Sequence, residues 1–472
     1  MLKPNIKVVL EPEELNWQGV RFLDPIGRVF LLDGDYYRAI YQHQVEYVEK
    51  LLASGILDLL VDSELMVPMQ RCNLSVRGYG MVIKTTGATW KIPAHTYTFR
   101  TLKAAALNWI KINELLLQYD LGLLDAHISN YILTGKCKPK WLDLGSIQPL
   151  TYAEIGIEEF IRCQIAPLLI LGRKPNLNRV VRLLIEDGGI SRPELRNING
   201  LFLYLLLFVP FKIAARIPLK GALHCFGISV QLKRKLMLRF LRMVVSAIKI
   251  KLPKQLWSNY RGGDIYKINT AGGAILTDDT RPSKVLDLIK QVQPKTIIDI
   301  GANDGYFTAL AAQSGAKLLA IDRDEGAIDK FIQWVSEVPF EVEAYGCVND
   351  FHRVQNRADL VLGLALVHHL ALSQHFKFDY IARRFAEMSS RALVTEFMPN
   401  GLGINKIMPN PLPAYYNLDI FLEELKKYFV NVNIVEYDRP QYFSPRVMIL
   451  CEGRIHDPTL HTYPVIKLGL LA

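Results

Sequence analysis

The sequence predicts an α/β protein built from more than one domain, on three observations. In the C-terminal half, short apolar runs end one after another in polar residues, with helix-length segments between them, which is how a parallel sheet with crossover helices reads. One of those runs passes straight into a glycine-spaced turn and then into a helix-forming stretch. The chain has 472 residues, 50% of them hydrophobic, enough for two or three cores.

The first strand is Thr296-Ile297-Ile298-Asp299-Ile300, its turn Gly301-Ala302-Asn303-Asp304-Gly305, and its helix Phe307 to Ala312. A second strand, Ala316 to Ile321, ends at Asp322, seventeen residues after Gly305. A third ends near Gly346-Cys347-Val348, with Asn349 and Asp350 just beyond. Asp359 to Val367 is apolar enough for a central parallel strand and ends in His368-His369. A fifth strand, Ala392 to Thr395, ends at Glu396. A helix from Leu418 to Tyr428 and two strands, Asn431 to Tyr437 and Arg446 to Cys451, complete the pattern. Polar residues thus collect at the ends of successive strands, where open α/β sheets bind their ligands.

The glycines of the turn let backbone come close to a ligand. The turn also carries Asp299, Asn303 and Asp304, and its acidity repels a pyrophosphate. Its G-x-N-x-G spacing lacks the third glycine of the dinucleotide fingerprint. A ligand with hydroxyls and a positive charge fits better, and S-adenosylmethionine is one. A carboxylate at the tip of strand two, here Asp322, takes ribose hydroxyls.

In these residues the chain resembles the class I S-adenosylmethionine-dependent methyltransferases. The matching parts are Asp299-x-Gly301-Ala302-Asn303-Asp304-Gly305, the strand-two acid Asp322, the strand-four exit Leu364 to Leu370, and the two closing strands. The resemblance covers roughly residues 265–455 and implies a Rossmann-like seven-stranded domain over 259–460. It implies that Asp299, Gly301, Ala302, Asn303, Asp304, Gly305, Asp322 and Asp350 surround the cofactor. His368, His369 and Glu396 are the catalytic candidates. On a strand, adjacent histidines point oppositely, so one of the two is expected to face the acceptor. A packed, hydrogen-bonded histidine pair and a salt-bridged Glu396 are the alternatives. Tyr260, Tyr266 and Arg281, before the first strand, are placed to close over the ligand.

The N-terminal half carries a second signal. A helical pattern from Leu102 to Tyr119 precedes Leu123-Leu124-Asp125-Ala126-His127-Ile128-Ser129-Asn130, and thirteen residues after Asn130 stands Asp143, in Trp141-Leu142-Asp143-Leu144-Gly145. D-x-H-x-x-N followed by D-x-G resembles the aminoglycoside-phosphotransferase branch of the kinase-like fold. The resemblance implies ATP and Mg2+, with Asp125 orienting a hydroxyl and Asn130 and Asp143 holding the metal. Upstream, Gly27 to Phe30, Tyr36 to Ile40, Leu59 to Val67 and Tyr79 to Lys84 read as strands, and Gln44 to Ala53 as a helix. Residues 1–150 are therefore expected to form an α+β kinase-like small lobe and catalytic-loop region. The sequence departs from the kinase pattern in having no glycine-rich loop, Arg38 in place of the nucleotide lysine, and Leu123-Leu124 before Asp125. Arg38 can still pair with Glu46 or Glu49 and contact phosphate in the lysine's place, since guanidinium also binds phosphate.

Between the halves, residues 151–258 read as a basic helical connector. From Leu195 to Gly263 there is no Asp or Glu, and residues 196–261 hold thirteen lysines and arginines, more than the whole chain's net +10. A local basic surface implies an acidic partner, here an anionic membrane surface or a polyanion. The alternative is a helical lobe with solvated lysines. The apolar stretch Gly200 to Phe211 is too short to span a bilayer, so no transmembrane segment is expected. Six scattered cysteines without a C-x-x-C pair suggest neither zinc nor disulfides, and a reducing compartment. With no apolar leader near Met1, the expectation is a cytoplasmic protein, peripheral to the membrane if the basic segment docks there.

The expected activity is methyl transfer to an oxygen or nitrogen of a small-molecule or glycan-type acceptor. An active N-terminal kinase, or an N-terminal docking module, are the alternatives for the first half. His368-His369 stands where an N-P-P-[YF] motif for exocyclic amines would follow strand four, which disfavours nucleobase amines as acceptors.

Overall fold

The structure is a computed structural model describing residues 8–18, 24–33, 35–85, 90–150, 155–199, 230–250, 265, 280–401, 412–438 and 445–455. The chain forms two compact units: Met1–Thr134 with Lys138–Pro253, and Gly135–Cys137 with Lys254–Ala472. The helices described between residues 155 and 250 belong to the first unit, where the sequence suggested a lobe of their own.

The first unit opens with an antiparallel sheet. Its strands are β1 (Asn16–Trp17), β2 (Gly27–Leu32), β3 (Asp35–Tyr41), β4 (Met69–Arg71) and β5 (Tyr79–Thr85), in the order β1-β2-β3-β5-β4. Phe30, Ala39, Val76 and Val82 form a small core on it. Helix α1 (Val45–Ala53) buries Val48 and Leu51. The run Leu59 to Val67, expected as a strand, begins instead inside helix α2 (Ile56–Asp62). Ile56, Leu57 and Leu60 are buried at helical spacing there, and Gly55, at φ 75°, turns the chain sharply between the two helices. Short apolar runs do not distinguish helix from strand by pattern alone.

Helix α3 (Phe99–Leu116) starts at Thr98, whose hydroxyl accepts the Thr101 N–H. It buries Trp109, stacked on Phe160 at 4.2 Å between ring centres. Four short strands follow: β6 (Leu121–Leu123), β7 (Tyr131–Thr134), β8 (Lys138–Trp141) and β9 (Ile147–Pro149), paired antiparallel as β6 with β9 and β7 with β8. Helices α4 (Ala166–Arg173) and α5 (Val230–Ala247) also belong to this unit. Among the described residues, no helix is long and apolar enough to cross a membrane.

The second unit is a seven-stranded sheet. Its elements in chain order are α6 (Arg281–Val292), β10 (Thr296–Ile300), α7 (Tyr306–Ala311), β11 (Lys317–Asp322), α8 (Glu325–Glu337), β12 (Ala344–Val348), β13 (Ala358–Gly363), α9 (Phe378–Met388), β14 (Ser389–Phe397), α10 (Leu418–Lys426), β15 (Phe429–Val435) and β16 (Val447–Arg454). The strand order is β12-β11-β10-β13-β14-β16-β15. The first five run parallel, and β16 lies antiparallel to both of its neighbours. Central strands of a parallel sheet are covered on both faces and read as unbroken apolar runs. Ile297, Ile298, Leu360, Val361 and Leu362 are accordingly without exposure. The strand order reverses between β10 and β13, and open α/β sheets bind their ligands outside the carboxyl ends of the strands at such a reversal.

Candidate active site

The turn after β10 is built on left-handed backbone. Gly301, Asn303 and Gly305 have φ of 75°, 53° and 78°. A Cβ on Gly305 would lie 2.2 Å from the Phe331 ring, so the position takes neither a side chain nor an ordinary φ. The Gly301 and Ala302 N–H groups both donate to the Ile321 carbonyl, at 2.8 and 3.1 Å, which ties the turn to β11.

Asp322 sits at the tip of β11 with both carboxylate oxygens fixed. Oδ2 accepts the Asn303 N–H and Oδ1 the Asp324 N–H, each at 2.8 Å. A carboxylate has about four lone-pair positions, so it can still accept from a ligand. Burial raises its pKa, opposed by the backbone N–H groups of Asp324, Asn303 and Arg323. Next to it, the Asn349 N–H donates to the Asp322 carbonyl at 3.0 Å, which brings the exit of β12, with Asp350, to the same end of the sheet. Asp299 has another task. It is 3% exposed and accepts the Thr308 hydroxyl at 2.6 Å, so it clamps helix α7 beneath the turn. Burial pushes its pKa to about 6. Gly301, Ala302, Asn303, Asp304, Gly305, Asp322 and Asp350 thus gather at one rim, with Asp299 supporting them from below.

The exit of β13 differs from its expected form. The strand stops at Gly363, and Ala365 turns left-handed at φ 52°. The Leu366 carbonyl then accepts the His369 and Leu370 N–H groups, so the histidines open a helical turn instead of ending a strand. Their rings do not point oppositely; the centres are 4.1 Å apart. His368 is 1% exposed, and neither ring nitrogen has a hydrogen-bond partner among the described residues. Burial, then His369 and Arg446, push its pKa down to about 2. Burial and Arg323 push His369 to about 4.

Glu396 is in the salt-bridged state. It is fully buried, and Arg281 grips it with Nε on Oε1 at 2.6 Å and Nη2 on Oε2 at 2.7 Å. Arg446 adds an Nη1 contact to Oε2 at 3.2 Å, and the Ala365 N–H donates to the same oxygen at 2.9 Å. Burial raises the carboxyl pKa, but the two guanidinium groups outweigh it and hold it below the ordinary value. A carboxylate so engaged is no proton acceptor. It pins the strained Ala365, and with it the histidine turn. The Arg281 guanidinium also lies 4.5 Å from the Phe307 ring centre, beside the glycine turn. Tyr260 and Tyr266 lie outside the described residues.

In the first unit, Asp125 accepts the Asn130 side-chain amide at 2.9 Å and the His127 N–H at 2.6 Å. Arg38 does not pair with Glu46 or Glu49. Lys50 holds Glu46 at 2.6 Å and Arg71 holds Glu49 at 3.1 Å. Arg38 is buried and bridges Asp24 and Asp143, the latter at 2.6 Å. The Gly145 N–H donates to the same Asp143 oxygen at 3.1 Å. A Cβ on Gly145 would meet Asp24 at 2.5 Å and Arg38 at 2.9 Å, so the knot is closely filled. These residues fit magnesium poorly, because a fixed guanidinium already neutralises the carboxylate meant for it.

Of the basic segment, 200–229 and 251–264 lie outside the described residues. Two of its cations are spent on packing: Arg234 is 3% exposed, and Arg242 pairs with Glu114. Sequence reasoning missed Thr308, Asp24 and the role of Arg446. Thr308 acts through Asp299, nine residues before it, Asp24 through Arg38, and Arg446 through Glu396, fifty residues before it, pairings that periodicity does not signal.

No family model matches the chain. The nodulation protein NoeA of Rhizobium meliloti (strain 1021) is 24% identical over 439 residues, 80% of this chain and 84% of that one. Among solved structures, the chain is similar to magnesium protoporphyrin IX methyltransferase (ChlM) from Synechocystis PCC 6803, at 15% identity and TM-score 0.31 over 42% of this chain and 96% of that one. It is also similar to the bifunctional kinase-methyltransferase WbdD, at 20% and 0.30 over 38% of this chain and 41% of that one. For the N-terminal domain of EvdMO1 the values are 17% and 0.28, over 38% and 85%. Likeness at these scores carries no argument about activity.

Proposed function

We propose that the second unit is an S-adenosylmethionine-dependent methyltransferase acting on an oxygen or nitrogen of a small-molecule or glycan-type acceptor. One observation carries this reading. The left-handed glycine turn follows β10, the strand that borders the reversal of strand order, and its Asn303 N–H holds the carboxylate of Asp322 on the neighbouring strand β11. Asp322 is preorganised to accept from hydroxyls, and the glycine turn holds its backbone beside that carboxylate. The bound cofactor supplies a methyl already activated on a sulfonium. What the chain contributes is position, since in-line transfer depends on holding donor and acceptor at near-attack distance. His368, kept neutral by burial, serves as a hydrogen-bonding group that orients the acceptor. A store for the acceptor's proton would need a pKa nearer the working pH. Incubating the full chain with methyl-labelled S-adenosylmethionine and fractionated metabolite and glycan pools tests the activity. Label in a product, lost in Asp322→Ala, is the expected result; no labelled product from any pool contradicts it.

For the first unit we propose a kinase-like scaffold that does not transfer phosphate. The Arg38–Asp143 ion pair favours this over an active kinase. An active site would bind ATP with magnesium, and ligand at ~100 times its dissociation constant adds about 2.7 kcal/mol of stability. We expect no magnesium-dependent melting shift with ATP, and a clear one would contradict this reading.

A further inference from the structure

Resting on the methyltransferase reading of the second unit, we infer that the acceptor presents an anionic oxygen, docked on Arg446 beside His368. Glu396 is shared unequally. Arg281 takes both of its oxygens through a short two-pronged grip, and Arg446 is left with one longer contact through Nη1. The Arg446 side chain is only 5% exposed. Its Nε is buried without an acceptor among the described residues. The Nε side of a guanidinium is the edge that meets a carboxylate fork-on, and Arg281 uses that edge on Glu396. In Arg446 its Nε has no acceptor among the described residues. A buried cation with an open donor is costly unless something anionic completes it.

His368 is the second observation. Its turn begins at Ala365, whose N–H shares Glu396 Oε2 with Arg446; the histidine is 1% exposed, and both ring nitrogens are unpartnered among the described residues. A neutral imidazole offers one N–H donor, a second donor beside the one left on Arg446 Nε. The chain places both groups where an acceptor belongs. His368 follows β13, and Arg446 precedes β16, whose start pairs with the carboxyl end of β14.

The chemistry agrees. A hydroxyl acceptor must lose a proton to a base, and the Glu396 carboxylate at this rim is already held by two guanidinium groups. An anionic oxygen needs no base. Its lone pair forms the O–CH3 bond, and the S–CH3 pair goes to sulfur. The sulfonium becomes a neutral thioether, the acceptor gains the methyl and loses one negative charge, and no proton is released. A carboxylate and a phosphoryl oxygen share this chemistry.

The test uses the full chain saturated with S-adenosylhomocysteine. Acetate and inorganic phosphate are titrated separately, against acetamide and against chloride at matched ionic strength, with the melting of the second unit as readout. An upward shift with acetate points to a carboxylate acceptor, and one with phosphate to a phosphoryl acceptor. Either shift, absent with acetamide and lost in Arg446→Gln, supports the proposal. No shift with either anion overturns it. A fall in S-adenosylhomocysteine affinity in Arg446→Gln also overturns it, because Arg446 would then belong to the cofactor's own carboxylate. If Arg446→Gln does not fold, crystals of the wild-type complex grown in acetate decide: an anion on Arg446 Nε supports the inference, and solvent there overturns it. Failure of the wild type to bind S-adenosylhomocysteine is a separate outcome and strikes the methyltransferase reading itself.

Discussion

Glu396→Gln removes one negative charge from the middle of the sheet rim and almost nothing else. Size and shape are kept, so no cavity opens. What is left is two guanidinium groups, each 5% exposed, around a neutral amide. Breaking a buried ion pair by removing one partner costs about 3–5 kcal/mol, because the remaining charge is stranded. For a unit of this size, each kcal/mol moves the melting temperature by about 2–4 °C, so the shift is roughly 6–20 °C. The two units can melt separately, so scanning calorimetry is the assay, and the transition that S-adenosylhomocysteine raises identifies the second unit. The wild-type contribution has a defined pH window. The carboxyl pKa is lowered on folding, so its stabilisation is present above the ordinary glutamate value and lost as pH falls below it. Glu396→Gln is therefore weakest against the wild type at neutral pH and approaches it in acid. An unchanged melting temperature with turnover abolished would refute this account and return Glu396 to the role of a base.

Asp299 has the opposite sign. Burial raises its pKa to about 6, so its ionisation costs the folded state stability as pH rises from about 4 through 6. Asp299→Asn keeps an acceptor for Thr308 and should be more stable than the wild type at pH 7.5, by on the order of 1–3 kcal/mol, with the gap closing at pH 4. Urea melts at the two pH values measure it, and parallel pH profiles would count against it. His368→Gln should slow turnover while leaving cofactor affinity nearly unchanged. The wild-type turnover profile should show no inflection from this histidine between pH 5 and 8, since its pKa lies near 2. An inflection there that disappears in the variant would make His368 the base.

The second unit was legible because parallel strands must be apolar on both faces and must end in polar loops. The strands β10, β11 and β12 lie within a residue or two of their expected places. The exit of β13 was not legible in this way. Leu364 to Val367 is as apolar as a strand, but Ala365 is turned left-handed by the Glu396 carboxylate, thirty-one residues on. The same holds for Arg38. Glu46 and Glu49 are the acids of the helix that follows its strand, and Asp24 and Asp143 are the acids it contacts in space. Gly301 to Gly305 and Asp322 were read from sequence because close backbone approach and a strand-tip acid are local requirements. Arg446 escaped notice because its meaning depends on what Glu396 and His368 leave unfinished.

The central claim is that the glycine turn and Asp322 form a site for S-adenosylmethionine. Calorimetric titration of the folded full chain with S-adenosylhomocysteine tests it most directly. The account predicts one binding event, weakened by about 1–3 kcal/mol, or roughly 5- to 150-fold, in Asp322→Ala through lost ribose hydrogen bonds. A wild-type chain that melts cooperatively yet gives no heat and no saturable binding would contradict it, as would an Asp322→Ala variant that binds as tightly as the wild type.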